Sequence, residues 1–309
     1  MSNQIPNSES PAYHIPVLLK EATDALNIKI NGIYVDCTFG GGGHSRGILK
    51  QLGAEGRLIV FDQDEDAKRN LPDDDRVIFV PQNFRYLQRF LRLHKLPEVD
   101  GILADLGVSS YQFDTPERGF STRFDAALDM RMDSRQQITA ATVLNNFTEL
   151  ELHKMFERYG EVTNSKTLAK TIIEQREIKP FTTINAFKQS VSGIVKGNPH
   201  KYFAQVFQAL RIQVNEEMVA LEEMLEQTTT VLKKEGRLVI ITFHSLEDRT
   251  VKNFLKNGSI KEQETDDVYG IKPQTPFEII TKKPIIPTEN EQKLNARSSS
   301  AKLRIAQKK

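Results

Sequence analysis

The segment Val35-Asp36-Cys37-Thr38-Phe39-Gly40-Gly41-Gly42-Gly43-His44-Ser45 runs a short apolar strand into four consecutive glycines and then into a helical pattern. No other stretch constrains the fold as much. Glycine lets a backbone take positive φ and pass close to a ligand. The helix start offers free N–H groups at the same place. A plain turn needs fewer than four glycines, so the segment reads as a ligand loop between a strand and a helix.

The neighbouring segments keep this rhythm. Strands are predicted over 33–37, 57–62, 76–80 and 99–106, with helices over 44–52, 64–70 and 84–94. Ahead of them, Ile15, Leu18, Leu19, Ala22 and Leu26 fall on one helical face, which Asn31-Gly32 ends. Strands spaced by helices of this length predict a doubly wound α/β sheet. Its right-handed crossovers place a ligand at the carboxyl ends of the strands. From Asp114 the rhythm stops. A helical pattern, with polar breaks at Lys179-Pro180 and Gly197-Asn198-Pro199, leads into one long helix predicted over 202–234. A strand follows at 237–243 and a helix at 246–256. After a polar loop over 257–276 come two β-like runs, 277–283 and 302–306. The expected architecture is a Rossmann-like sheet domain built from 1–114 and 200–309, carrying a helical insertion over 115–199.

The glycine loop fits neither common phosphate fingerprint. In G-x-G-x-x-G the last glycine is replaced by Ser45 in one register and Arg46 in the other, and no Gly-Lys-Ser/Thr follows. Asp62 ends the second strand, twenty residues past Gly42. An acid there can accept hydrogen bonds from both hydroxyls of a ribose. Asp64 is the better placed cap for the next helix. An adenosine ligand without a pyrophosphate follows, and S-adenosylmethionine satisfies both features. Asp105 ends the fourth strand, where an acid can hold a donor amine, attract a sulfonium charge or cap a loop. His244 stands at the carboxyl end of the strand over 237–243, before the helix start Ser245, Glu247 and Asp248.

Other classes are excluded by composition. No apolar run approaches the ~18 residues that span a bilayer, and residues 1–13 read as a loose polar tail. The single cysteine, Cys37, excludes a disulfide framework and fits a reducing, cytoplasmic setting. Cys37 reads as a packed residue rather than a nucleophile. The six histidines form no H-x-x-x-H pair, and no metal is expected. Net charge is +1, so no global field favours nucleic acid. Charge is uneven, however. Between Asn164 and Tyr202 there are seven Lys/Arg and two Glu, and the last seventeen residues carry six Lys/Arg and no acid. Two basic segments beside an adenosine pocket favour a polyanionic substrate.

Taken together, the blocks resemble the bacterial 16S ribosomal RNA cytosine-N4 methyltransferase family (the MraW or RsmH family). They include Tyr13-His14-Ile15-Pro16-Val17-Leu18-Leu19, the glycine segment, Gly101-Ile102-Leu103-Ala104-Asp105-Leu106-Gly107-Val108-Ser109-Ser110 and Glu117-Arg118-Gly119-Phe120-Ser121. Leu128-Asp129-Met130-Arg131-Met132-Asp133, Phe207-Gln208-Ala209-Leu210-Arg211-Ile212, Phe243-His244-Ser245-Leu246-Glu247-Asp248-Arg249 and Ala296-Arg297-Ser298-Ser299-Ser300-Ala301-Lys302-Leu303-Arg304 extend the likeness over most of the chain. The segment 256–283 matches least. The resemblance implies methylation of the exocyclic N4 amine of one cytosine in 16S ribosomal RNA, near the decoding centre, with S-adenosylmethionine as methyl donor. It implies cofactor contacts at Gly42, Gly43, His44, Asp62, Phe84, Asp105 and Gln112, with Asp105 also the catalytic candidate. The implied partner is 16S ribosomal RNA within the small ribosomal subunit, with no membrane, and the insertion over 115–199 is its expected recognition domain. On the residues alone two rivals stand: a methyltransferase for a small molecule or protein, and a non-catalytic ribosome-assembly factor.

Overall fold

The strand Ile33–Asp36 (β1) lies in the interior of the sheet, where both its faces are covered. The computed structural model describes residues 16–260 and 275–309. In chain order, the helix Leu19–Ala25 (α1) leads to β1, Gly43–Leu49 (α2), Arg57–Phe61 (β2), Val77–Val80 (β3), Leu87–Leu93 (α3) and Val99–Asp105 (β4). Short 3-10 turns at Glu65–Asn70 and Phe84–Tyr86 stand where helices were expected to begin. A run of helices follows: Ser110–Asp114 (α4), Ala140–Asn146 (α5), Glu149–Gly160 (α6), Ser165–Ile178 (α7), Ile184–Ser190 (α8), Pro199–Asn215 (α9) and Glu217–Val231 (α10). The chain then returns to the sheet through Leu232–Thr242 (β5), Ser245–Asn257 (α11), Phe277–Ile279 (β6), Glu289–Leu294 (α12) and Lys302–Lys308 (β7).

The seven strands are ordered β3-β2-β1-β4-β5-β7-β6. The pairs among β1 to β5 are parallel, and β7 runs antiparallel between β5 and β6. The expected doubly wound sheet is therefore present, with an antiparallel edge. The strand order reverses between β1 and β4. Register sets Asp36 beside Leu103 and Asp105 beside Ile241, so the carboxyl ends of the central strands share one rim. Alternation along the strands divides the core. Val35, Ile59, Ile102 and Ile240 face α3, α10 and α11, while Tyr34, Leu58, Leu103 and Val239 face α1 and α2. Both faces are covered, as a parallel sheet requires.

A separate apolar cluster runs from Phe120 to Val214 and includes buried residues of α5, α6, α7, α8 and α9. The helical region is thus packed around its own core. That core extends past the boundary expected at residue 199, because Val206, Phe207 and Leu210 of α9 belong to it.

The single helix expected over 202–234 is two helices. Glu216 sits at φ 49°, in the left-handed region, and divides α9 from α10. No glycine or proline marks the break, so local sequence could not reveal it. Such a conformation costs a non-glycine residue about 1–2 kcal/mol. The offset is tertiary. The break lets α9 pack in the helical core while Met218, Leu221 and Met224 of α10 pack on the sheet, and Glu216 pairs with Arg85 at 2.6 Å. The following strand starts at Leu232 rather than 237, because backbone pairing reaches back to Val99. The expectations for residues 1–15, including Tyr13, His14 and Ile15, and for 261–274 lie outside the described residues.

Candidate active site

Four loops meet at the rim where β1, β2, β4 and β5 end. Asp36 ends β1 and is almost fully buried. Its carboxyl accepts from Ser45 Oγ at 2.6 Å and from Thr38 N at 3.0 Å, and so ties the glycine loop to the first turn of α2. Burial pushes this carboxyl above its ordinary range. Gly42 caps α2 at φ 71°. A Cβ on Gly43 would lie 2.0 Å from Pro16 Cγ, so the segment before α1 seals the loop from one side.

Asp62, just past β2, accepts from Gly40 N at 2.7 Å through Oδ2 and from Asp64 N at 2.8 Å through Oδ1. It therefore braces the glycine loop as well as facing the rim. An ionised carboxylate offers about four acceptor positions, so each oxygen retains one. Burial pushes its pKa up to about 7. Asp64 is the cap of the following turn, as the sequence suggested, accepting from Asp66 N at 3.1 Å. Its other oxygen takes Gln112 Nε2 at 2.7 Å and Arg118 Nη1 at 2.8 Å.

Gln112 is buried, and its amide is engaged within the protein. It forms a capping box with Ser109, whose N–H donates to Oε1 at 3.0 Å, besides the bond to Asp64. The side chain thus wires the end of β4 to the end of β2. Phe84 is half-buried in the turn after β3. With Asn83, Leu106, Met132 and Leu221 it borders a narrow cavity of about 40 Å³.

Asp105 ends β4. Its backbone N–H donates to Thr38 Oγ1 at 2.7 Å. Its Oδ2 lies 3.7 Å from His44 Nδ1, while Oδ1 is buried and has no hydrogen-bond partner. Burial pushes its pKa up to about 6; the nearby His44 ring opposes that rise, and the carboxyls of Asp36 and Glu247 add to it. A lone buried acceptor is costly unless a ligand supplies a donor. Perturbed carboxyls in a cleft mark functional sites. His44 is buried, with Nε2 3.0 Å from the Val17 carbonyl. Cys37 is packed beneath the loop and burial pushes its thiol well up, which agrees with a packing role.

The structure also assembles a group the sequence did not show. His244 caps α11, and its Nε2 lies 3.0 Å from Glu247 Oε1. Glu217 joins them, with ligand-type atoms of all three within 4.8 Å. Arg211 Nε lies 2.9 Å from Glu217 and brings a resident positive charge into this group. The residues come from α9, α10 and the β5–α11 junction. His244 and Glu247 stood out in the sequence as a strand end and a helix start, but no spacing links them to Glu217 and Arg211, so the group as a whole was missed. Thr38 and Arg118 were missed too, although Thr38 lies inside the glycine segment.

The family model described as the MraW methylase family matches residues 11–309. A Bacteroides fragilis protein named ribosomal RNA small subunit methyltransferase H is 55% identical over 302 residues, covering 97% of this chain and 99% of its own length. Proteins of the same name from Bacteroides thetaiotaomicron and Flavobacterium psychrophilum are 54% and 52% identical. They cover 96% and 94% of this chain, and 98% and 100% of their own lengths.

Proposed function

The chain belongs to the MraW methylase family, and from that premise we infer that it is an S-adenosylmethionine-dependent methyltransferase acting on the exocyclic N4 amine of a cytosine in 16S ribosomal RNA. The observation that carries this reading is the family match over 11–309, which takes in the glycine loop, the end of β4 and the start of α11 in one alignment.

The residues at the rim suit the cofactor. Gly42 and Gly43 give the loop a surface that a backbone-hugging ligand can approach. Asp62 keeps an acceptor on each oxygen for the two ribose hydroxyls. Phe84 offers a ring face to adenine. Gln112 keeps the two loops in register and has one amide hydrogen left for the methionine end. The orphaned Oδ1 of Asp105 accepts from an ammonium or an amine. Bound there, S-adenosylmethionine supplies an electrophilic methyl group.

The protein's part is orientation and proton handling. The N4 lone pair of cytosine is delocalised into the ring. An N4–H bond to the Asp105 carboxylate turns the amine and localises its lone pair toward the methyl. Leu106, Met132 and Leu221 keep water from the approach, and a held, dry geometry accounts for most of the rate gain such a site can give. The base has to leave its stack to reach a pocket at the strand ends. The helical unit, with exposed Lys166, Lys170, Lys179, Lys196 and Lys201, faces the RNA in this reading. The cytosine lies near the decoding centre, and the substrate is an assembled or partly assembled small subunit.

Mass mapping of 16S ribosomal RNA from cells lacking this protein tests the reading. Loss of one methyl group at a single cytosine is expected, and an unchanged methylation map sinks it. Within the site, Asp105→Asn should lower the single-turnover rate at saturating cofactor by at least about a hundred-fold, the low end for acid–base contributions. A full rate under those conditions would make Asp105 a binding residue only.

A further inference from the structure

Methylation of an amine releases a proton. The N4 nitrogen gains a bond to carbon, the carbon–sulfur bond breaks with its pair going to sulfur, and one N–H proton departs. The geometry points to His44 as the residue that shares this proton with Asp105, making the two side chains a single proton acceptor. The inference rests on the reading of Asp105 as the group that contacts the target amine.

The argument begins at the far side of the imidazole. His44 Nε2 lies 3.0 Å from the Val17 carbonyl oxygen. A carbonyl only accepts, so Nε2 carries the hydrogen. In the neutral ring this leaves Nδ1 as a bare lone pair, 3.7 Å from Asp105 Oδ2. An ionised carboxylate facing a lone pair is repelled. One proton placed on either group turns the repulsion into attraction. A proton that reaches Asp105 Oδ2 therefore has a second acceptor beside it. The Val17 contact sets the tautomer, as second partners of histidine generally do.

The surroundings support this. His44 is 5% exposed, so water cannot readily replace it as the partner of Asp105. From the elements packed around Asp105, the other charged groups are Asp36 at the end of β1 and Glu247 on α11, both carboxyls. Both favour the protonated pair. Thr38 Oγ1 engages only the backbone of Asp105. Oδ1 remains to take the hydrogen from the amine. The proton then moves within the carboxyl–imidazole pair, and the carboxyl can release it to solvent once product leaves.

His44 acts through Asp105 and is a positioning residue, so its test needs a readout besides the rate. In the protein without cofactor, nitrogen-detected NMR of the His44 ring should show Nε2–H and a bare Nδ1 at pH 8. An Nδ1–H tautomer at that pH overturns the proposal. His44→Gln keeps a donor for the Val17 carbonyl but carries no titrating nitrogen. Its single-turnover rate at saturating cofactor should fall about ten-fold, with the acidic limb of the pH profile displaced. A profile with an unmoved limb would show a structural role alone. If Asp105→Asn keeps its full rate, the reading of Asp105 fails first. If Asp105→Asn is slow while the His44→Gln limb stays in place, only the shared proton fails.

Discussion

At the residue scale, the site stores charge in unfavourable places. Asp62 and Asp105 are both pushed upward by burial, to about 7 and about 6. For a carboxyl, a raised folded pKa means that the folded state binds the proton more tightly than the unfolded chain. The associated stability is complete below the ordinary value of 3.8 and is lost as pH rises through 6 to 7. Asp105→Asn should therefore stabilise the cofactor-free protein at pH 8 by about 2–3 kcal/mol, since each pKa unit is worth about 1.4 kcal/mol. The gain should vanish near pH 4. Urea unfolding across that range checks it, and a gain that does not change with pH would locate the effect elsewhere. Asp62→Ala acts differently, because it removes the loop brace and the ribose acceptors together. Charge-assisted bonds are worth roughly 1.5–3 kcal/mol each, so cofactor affinity should fall about ten- to hundred-fold per bond. Calorimetry showing unchanged affinity would remove Asp62 from the site.

At the element scale, the junction of β1 with α2 was legible because glycine clusters and capping residues act locally. A local signal of the same kind starts α6, where Thr148 and Glu151 form a capping box, although the sequence was read there only as helical in pattern. The break at Glu216 was not legible, because its cause is the need of α9 and α10 to pack against different cores. The His244–Glu247–Glu217–Arg211 group was hidden for a related reason: it is built across three elements. Gly43 shows how tightly elements can meet. Gly43→Ala places a methyl 2.0 Å from Pro16 Cγ, and relief requires the segment before α1 to shift. Overpacking of this kind costs about 1–3 kcal/mol. The variant should melt earlier and bind cofactor more weakly. Normal stability in differential scanning calorimetry would mean that Pro16 moves freely.

At the scale of the whole molecule, the two basic segments have different fates. The sequence placed both against RNA. In the structure the C-terminal one is largely committed to the fold. Arg304 and Lys302 pair with Asp248 at 2.6 and 3.3 Å. Lys308 Nζ donates to the Leu232 carbonyl and Lys309 Nζ to that of Thr275, and Arg297 pairs with Asp114. Lys302, Arg304 and Lys308 belong to β7, which lies inside the sheet between β5 and β6. In the helical segment Arg176 is likewise spent on the Leu144 and Phe147 carbonyls and Lys188 on that of Thr122, but Lys166, Lys170, Lys179, Lys196 and Lys201 are exposed. RNA affinity should then fall steeply with salt, by about 0.7 in the log–log slope per neutralised phosphate. Reversing Lys166, Lys196 and Lys201 together should flatten the slope and weaken all sequences alike, because phosphate contacts carry little sequence information. Filter binding at several salt concentrations checks this, and a slope unmoved by the triple change would send the RNA to another face. Among the described residues no helix is long and apolar enough to cross a membrane.

The sequence by itself determined the alternating strands and helices, the glycine loop and the acids that end β2 and β4. Each of these is set by periodicity, by glycine's backbone freedom or by position at a strand end, all of them local. Only the tertiary structure decided where the helical core stops, which basic residues remain exposed, and that His44 Nδ1 lies beside Asp105. Those outcomes depend on which side chains meet across the fold, and long-range contacts leave no spacing in the chain to be read.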